Sequence, residues 1–96
     1  MAPEPIRRRA VVRGRVQGVA FRYFTRQTAQ RLRLHGWVRN LSDGSVEVRV
    51  RGRESELDEF RELLRQGPPM GRVDRIEEED LADTEPLSEG LFEIRF

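Results

Sequence analysis

The stretch GRVQGVAFR, residues 14–22, brings Gly14 and Gly18 together with Arg15 and Arg22. Its chemistry is that of oxyanion binding. Glycine adopts a positive φ at no steric cost, so Gly18 lets successive backbone N–H groups converge into a nest. Arginine presents a fixed fork of donors that fits phosphate or carboxylate bidentately, and Arg22 supplies one. The same residues also fit a plain turn glycine and a solvated helix arginine. A Walker-type nucleotide loop is excluded, because no Gly-Lys-Ser/Thr tail follows. Cysteine is absent and His35 is the only histidine, which removes a thiolate nucleophile and any Cys- or His-cluster metal site.

The helix that must carry Arg22 is charged the wrong way round. The spacing of Phe21, Phe24, Thr28 and Leu32 predicts a helix from Ala20 to Leu34 with one apolar stripe. Its first turn holds Arg22 and no acid, with Arg13 and Arg15 just upstream. A helix N-terminus is the positive end of the macrodipole, so each such cation costs about 0.3–1 kcal/mol. An anion seated between the arginine and the helix start reverses that cost, since unpaired N–H groups point at it. A second helix, about Ser55 to Gln66, follows the ordinary rule: Glu54, Glu56, Asp58 and Glu59 open it and Arg65 lies near its end. Ser55 is its expected cap, with Asp58 three residues on. Leu57, Phe60 and Leu64 form its apolar stripe, and Gly67-Pro68-Pro69 stops it.

Strands surround these helices. Ala10, Val12, Gly14 and Val16 alternate with Val11, Arg13 and Arg15, and a turn at Gln17-Gly18 follows. His35-Gly36 is expected to end the first helix, with Gly36 in the left-handed position. Trp37 to Leu41 reads as a second strand and Ser42-Asp43-Gly44 as a hairpin turn. Val46, Val48 and Val50 alternate with Glu47, Arg49 and Arg51 in the third strand. Val73 to about Leu81 is the fourth, marked as an exposed edge by Glu77-Glu78-Glu79. A loop over 82–90 leads to a last short strand at Phe92, Ile94 and Phe96. Two amphipathic helices must bury their stripes on one face of a mainly antiparallel sheet of four to five strands. The expected class is α+β, the ferredoxin-like split βαβ sandwich.

Ninety-six residues suit a single domain over 1–96, with a Pro-rich and loose start at 1–6. All 18 bases are arginine, set against 17 acids, for a net charge of +1. That balance supplies no global electrostatic footprint for nucleic acid. No run is apolar enough for a membrane span and the N-terminus carries no signal-peptide core, so a soluble cytoplasmic protein is expected. Nothing in the chain requires more than a monomer.

GRVQGVAFR closely resembles the phosphate-loop signature of acylphosphatases. A second motif of that family, Gly-aromatic-x-x-Asn leading into a glycine turn and a valine strand, is matched by GWVRNLSDGSVEVRVRG at residues 36–52. The resemblance spans essentially the whole chain and implies the same ferredoxin-like fold. Ala20 departs slightly, at a position where glycine or a bulky aromatic is frequent. The resemblance implies metal-independent hydrolysis of acyl phosphates to a carboxylate and inorganic phosphate, the phosphate acting as product and inhibitor, with no cofactor. In it, the backbone amides of Arg15, Val16, Gln17, Gly18, Val19 and Ala20 hold the phosphate. Arg22 binds the phosphoryl oxygens, and Asn40 orients the water that attacks phosphorus. A neutral amide suits that place, because a carboxylate would repel the substrate dianion. The alternative is a ferredoxin-like binding module for RNA or protein, displaying aromatics on the open sheet face. Val11, Arg13 and Arg15 on the first strand, and Glu47, Arg49 and Arg51 on the third, offer no aromatic pair for it.

Overall fold

A computed structural model describes residues 5–82, 90 and 92–96. Seven elements follow in the order β1 (Ile6–Arg15), α1 (Phe21–Arg31), β2 (His35–Asn40), β3 (Val46–Gly52), α2 (Glu54–Gln66), β4 (Arg72–Leu81) and β5 (Glu93–Arg95). The strands form one sheet in the order β4-β1-β3-β2-β5. β1 is antiparallel to β3 and β4, β2 is antiparallel to β3, and β5 runs parallel to β2. β1 and β2 are therefore parallel to each other with β3 inserted between them, which is the split βαβ arrangement expected. β4 lies at the sheet edge, as its acidic run suggested.

The core forms where the even-numbered residues of the central strands meet the helix stripes. Val12, Val38, Val46 and Val48 are fully buried beneath Phe21 and Ala29 of α1 and Leu57, Phe60 and Leu64 of α2. Each buried valine contributes about 1.5 kcal/mol or more. Pairing Ala10 and Val38 with Val48 keeps these side chains on one face, and a slip by one residue would turn all of them to solvent. The other face carries a cross-strand ion network. Glu47 is almost wholly buried there and accepts from Arg9 Nε at 2.6 Å and Arg39 Nε at 2.7 Å. Burial opposes its ionisation, yet the hydrogen bonds from Arg9 and Arg39 outweigh burial and hold its carboxyl below the ordinary range.

Several local expectations are corrected. Helix α1 stops at Arg31, not Leu34, and its left-handed residue is Arg33 at φ 57°, not Gly36. Arg33 N–H donates to Gln30 O at 3.1 Å and Leu34 N–H to Ala29 O at 2.9 Å, a Schellman closure that buries Leu34. Gly36 instead belongs to β2, where a Cβ would lie 1.9 Å from the carbonyl oxygen of Arg49. Helix α2 is capped at Arg53 rather than Ser55: Arg53 O accepts from Leu57 N–H, and Glu56, not Asp58, accepts from Arg53 N–H at 2.9 Å. Asp58 is engaged elsewhere, by Arg8 of β1 at 2.9 Å. Ile6, placed in the loose start by composition, pairs with Gly52 as the first residue of β1. Phe96 lies beyond the end of β5 and is exposed. The rest of the expected loose start, residues 1–4, and residues 83–89 of the expected loop fall outside the described residues.

Gly36 and Gly44 both have positive φ, but nothing lies within 4 Å of a Cβ at Gly44. Gly36→Ala is expected to cost about 3 kcal/mol, from strain and clash together. Gly44→Ala should cost only the backbone term, about 1–2 kcal/mol. Urea unfolding of the two variants checks this; equal midpoints would refute the close-approach explanation.

Candidate active site

The end of β1 is bent into the site. The β1–β4 register shifts between Arg13 and Gly14, which face Arg75 and Val73. Gly14 sits at φ 136°, where a Cβ would come within 2.2 Å of Arg72 O. A bulge of this kind re-aims a strand end. Arg15 then closes β1 as an exposed residue, and Val16 anchors the following loop in the core.

Two residues of the loop turn left-handed. Gly18 has φ 74° and Ala20 has φ 64° and ψ 26°, with Val19 between them packing against the core. Gly18 was legible from its type; Ala20 was not, because alanine gives up about 1–2 kcal/mol in this conformation. Strain of this order gathers at sites where the surroundings impose it. Alternation of backbone sign is the geometry by which successive N–H groups can converge in a nest. Ala20 O accepts from Phe24 N–H at 3.0 Å and so starts helix α1. No side chain among the described residues caps that helix, and its first turn holds no acid, the latter as the sequence indicated. Its first N–H groups thus lie at the positive end of the dipole with no side-chain cap among the described residues.

Arg22 stands in that first turn. Its Nη1 donates to the carbonyl oxygen of Arg95 at 3.3 Å, and its guanidinium lies 4.7 Å from the centre of the Phe96 ring. Among the described residues it has no carboxylate partner. By contrast Arg8 has Asp58, Glu78 and Asp80 within 4 Å. The Arg95 contact was invisible in the sequence, since 73 positions separate the two residues.

Asn40 closes β2 opposite Val46, on the helix-facing side of the sheet. Its amide oxygen is buried and accepts no hydrogen bond among the described residues. The neighbouring contacts converge on this strand end. Arg95, which Arg22 contacts, pairs with Arg39 just before Asn40. The Gln17 amide donates to Leu41 O at 2.7 Å and Ser45 O at 2.9 Å, just after it. Loop, arginine and asparagine are thereby gathered at the C-terminal end of β2. The turn beyond is tied to β1 by Arg13 Nη1, 3.0 Å from Asp43. Hydrogen bonds from Ser45 and Arg13 lower the Asp43 carboxyl to about 2.

The remaining side chains singled out by sequence have structural places. His35 opens β2, its Nδ1 3.0 Å from Gly90 O. Trp37 is a strand-face aromatic, 4% exposed under the guanidinium groups of Arg39, Arg49 and Arg95. A ring so covered offers no platform for stacking a base. Among the described residues no three acidic or histidine side chains are grouped to hold a metal ion, and no helix is long and apolar enough to cross a membrane.

Known proteins share both the sequence and this architecture. The family model for acylphosphatases matches residues 8–94. A relative from Mannheimia succiniciproducens named acylphosphatase is 47% identical over 89 residues, covering 93% of this chain and 97% of its own. One of the same name from Acaryochloris marina is 45% identical over 95 residues, covering 98% of each. The crystal structure of acylphosphatase from Bacillus subtilis superposes with a TM-score of 0.86 at 37% identity, covering 95% of this chain and 99% of its own. A match of this extent goes well beyond a shared ferredoxin-like sheet, and the chain belongs to the acylphosphatase family.

Proposed function

We propose that this chain hydrolyses acyl phosphates without a metal ion, and that residues 15–20, Arg22 and Asn40 carry the reaction. Water attacks phosphorus, the bond from phosphorus to the acyl oxygen breaks, and the carboxylate leaves with the electron pair. A carboxylate is stable as an anion, so no strong general acid is needed. Catalysis then rests on positioning and on charge stabilisation of the phosphoryl group. The observation that carries the proposal is the start of α1: an uncapped, acid-free helix N-terminus behind two left-handed residues, with an arginine that has no carboxylate partner among the described residues. That combination suits a phosphoryl dianion. The amide oxygen of Asn40, buried and without a partner among the described residues, supports its part, because a water held there would donate one hydrogen to it and present its lone pair to phosphorus. We take the protein to act as a single-domain cytoplasmic monomer on a small-molecule substrate, with inorganic phosphate as product and inhibitor.

The direct test is hydrolysis of benzoyl phosphate with EDTA present. Arg22→Ala should lower kcat roughly a thousandfold, about 4 kcal/mol, with an unchanged circular dichroism spectrum. Arg22→Lys should be nearly as damaging, because a point charge does not reproduce the guanidinium fork. Retention of most activity by Arg22→Lys would refute the clamp.

Phosphate binds only the native loop in this scheme, so it should stabilise the fold. At a hundred times its inhibition constant the gain is about 2.7 kcal/mol. That corresponds to a rise in Tm of about 10 °C or more for a chain of this size. No rise beyond that given by chloride at equal ionic strength would sink the anion nest.

Asn40→Ala should lower kcat about a hundredfold while leaving the phosphate inhibition constant within a few-fold. Its stability loss should be small, since the amide oxygen gives up no hydrogen bond among the described residues. A purely structural Asn40 predicts parallel losses in turnover, phosphate binding and unfolding midpoint.

A further inference from the structure

The side chain of Gln17 performs a task separate from that of its backbone. The backbone is pinned on both sides, by the buried Val16 and by the left-handed Gly18. Its amide nitrogen has two hydrogens, and the structure gives each an acceptor: Leu41 O at 2.7 Å and Ser45 O at 2.9 Å. These are not arbitrary carbonyls. Leu41 N–H donates to Ser45 O at 2.9 Å and Gly44 N–H to Leu41 O at 3.2 Å, so the same two oxygens close the β2–β3 turn. Gln17 thus bridges from the phosphate loop to both hinge points of the turn that begins beside Asn40. Its reach crosses from the end of β1 to the end of β2, over the strand that separates them.

Resting on the assignment of residues 15–20 to phosphate and Asn40 to water, we propose that Gln17 is a positioning residue. Its double hydrogen bond sets the phosphate loop against Asn40 and so fixes phosphorus relative to the attacking water. Phosphate alone needs only the loop amides and Arg22. The relative placement of the two halves matters when the bond between water and phosphorus forms. Gln17 therefore acts on turnover through Asn40, and leaves phosphate affinity largely alone. A displacement of about 1 Å in such a geometry is worth up to a hundredfold in rate.

The test is a double-mutant cycle on kcat, with the phosphate inhibition constant and the unfolding midpoint measured on every variant. Gln17→Met keeps the length and bulk of the side chain and removes both donors. Gln17→Ala repeats the cycle without the thioether, so that a folding defect in one variant does not decide the result. Each should lower kcat tenfold or more with the inhibition constant within threefold of wild type. In an Asn40→Ala background neither should lower kcat by more than threefold further. If the losses instead multiply, Gln17 acts independently of Asn40 and the proposal fails. If phosphate binding weakens as much as turnover falls, Gln17 merely shapes the loop, which also overturns it. Wild-type turnover in Asn40→Ala alone would refute the water-orienting assignment itself, an outcome distinguishable because the Gln17 variants are scored separately. Gln17→Glu sets a carboxylate against two carbonyl oxygens and should be slower than Gln17→Met; equal rates would show that the two hydrogen bonds have no bearing on catalysis.

Discussion

One spacing governs the site: β1 and β2 run parallel with the single strand β3 between them. Two interstrand steps separate their ends by about 10 Å. Both strands deliver their C-terminal ends to the same pole, where helix α1 begins and β3 starts its return. The loop after β1 and the asparagine ending β2 are held at this separation by the valine ladder beneath them. Gly36 is part of the same constraint, since only a residue without a side chain lets β2 approach the Arg49 carbonyl.

Electrostatics divides the molecule into satisfied and expectant regions. The network around Glu47 and the cluster around Arg8 join cations to acids across strands and onto α2. Helix α2 carries Glu54 and Glu56 at its start and caps itself through Glu56. Helix α1 has neither device and is only 11 residues long, marginal for a helix relying on its own propensity. Packing of Phe21, Thr25, Thr28 and Ala29 on the sheet holds it instead. Tertiary burial thereby sustains a helix terminus that has no side-chain cap among the described residues, where a self-sufficient helix would have been capped.

Element order, sheet class and the edge position of β4 were legible because each rests on a period: valine alternation in β3, the three-four spacing in α2. The positive φ of Gly18 and the place of Arg22 in an acid-free first turn were legible because residue type and charge placement are local properties. The failures have a common origin. Gly36 suits helix termination by its local type, whereas the carbonyl of Arg49, 13 positions later, is what requires it. Ser55 is the better cap by type, yet the chain starts the helix at Arg53 because Glu56 serves the free N–H there. Asp58 looked like a capping partner until Arg8, 50 positions away, claimed it. The left-handed Ala20, the Arg95 carbonyl under Arg22 and the reach of Gln17 carry no local mark at all. Each depends on which strand ends the topology places side by side.

Trp37 is the chain's only tryptophan, and it lies three residues from Asn40 on the opposite face of β2, under arginines contributed by β2, β3 and β5. The protein therefore contains one indole fluorophore, separable from Tyr23 by its longer excitation wavelength and shielded from water by a lid of cations drawn from three strands. Loss of the short parallel strand β5 would strip Arg95 from that lid and hydrate the indole while the central sheet stayed paired. Emission colour in this protein thus reports the docking of a single peripheral strand, the strand whose Arg95 carbonyl also receives Arg22.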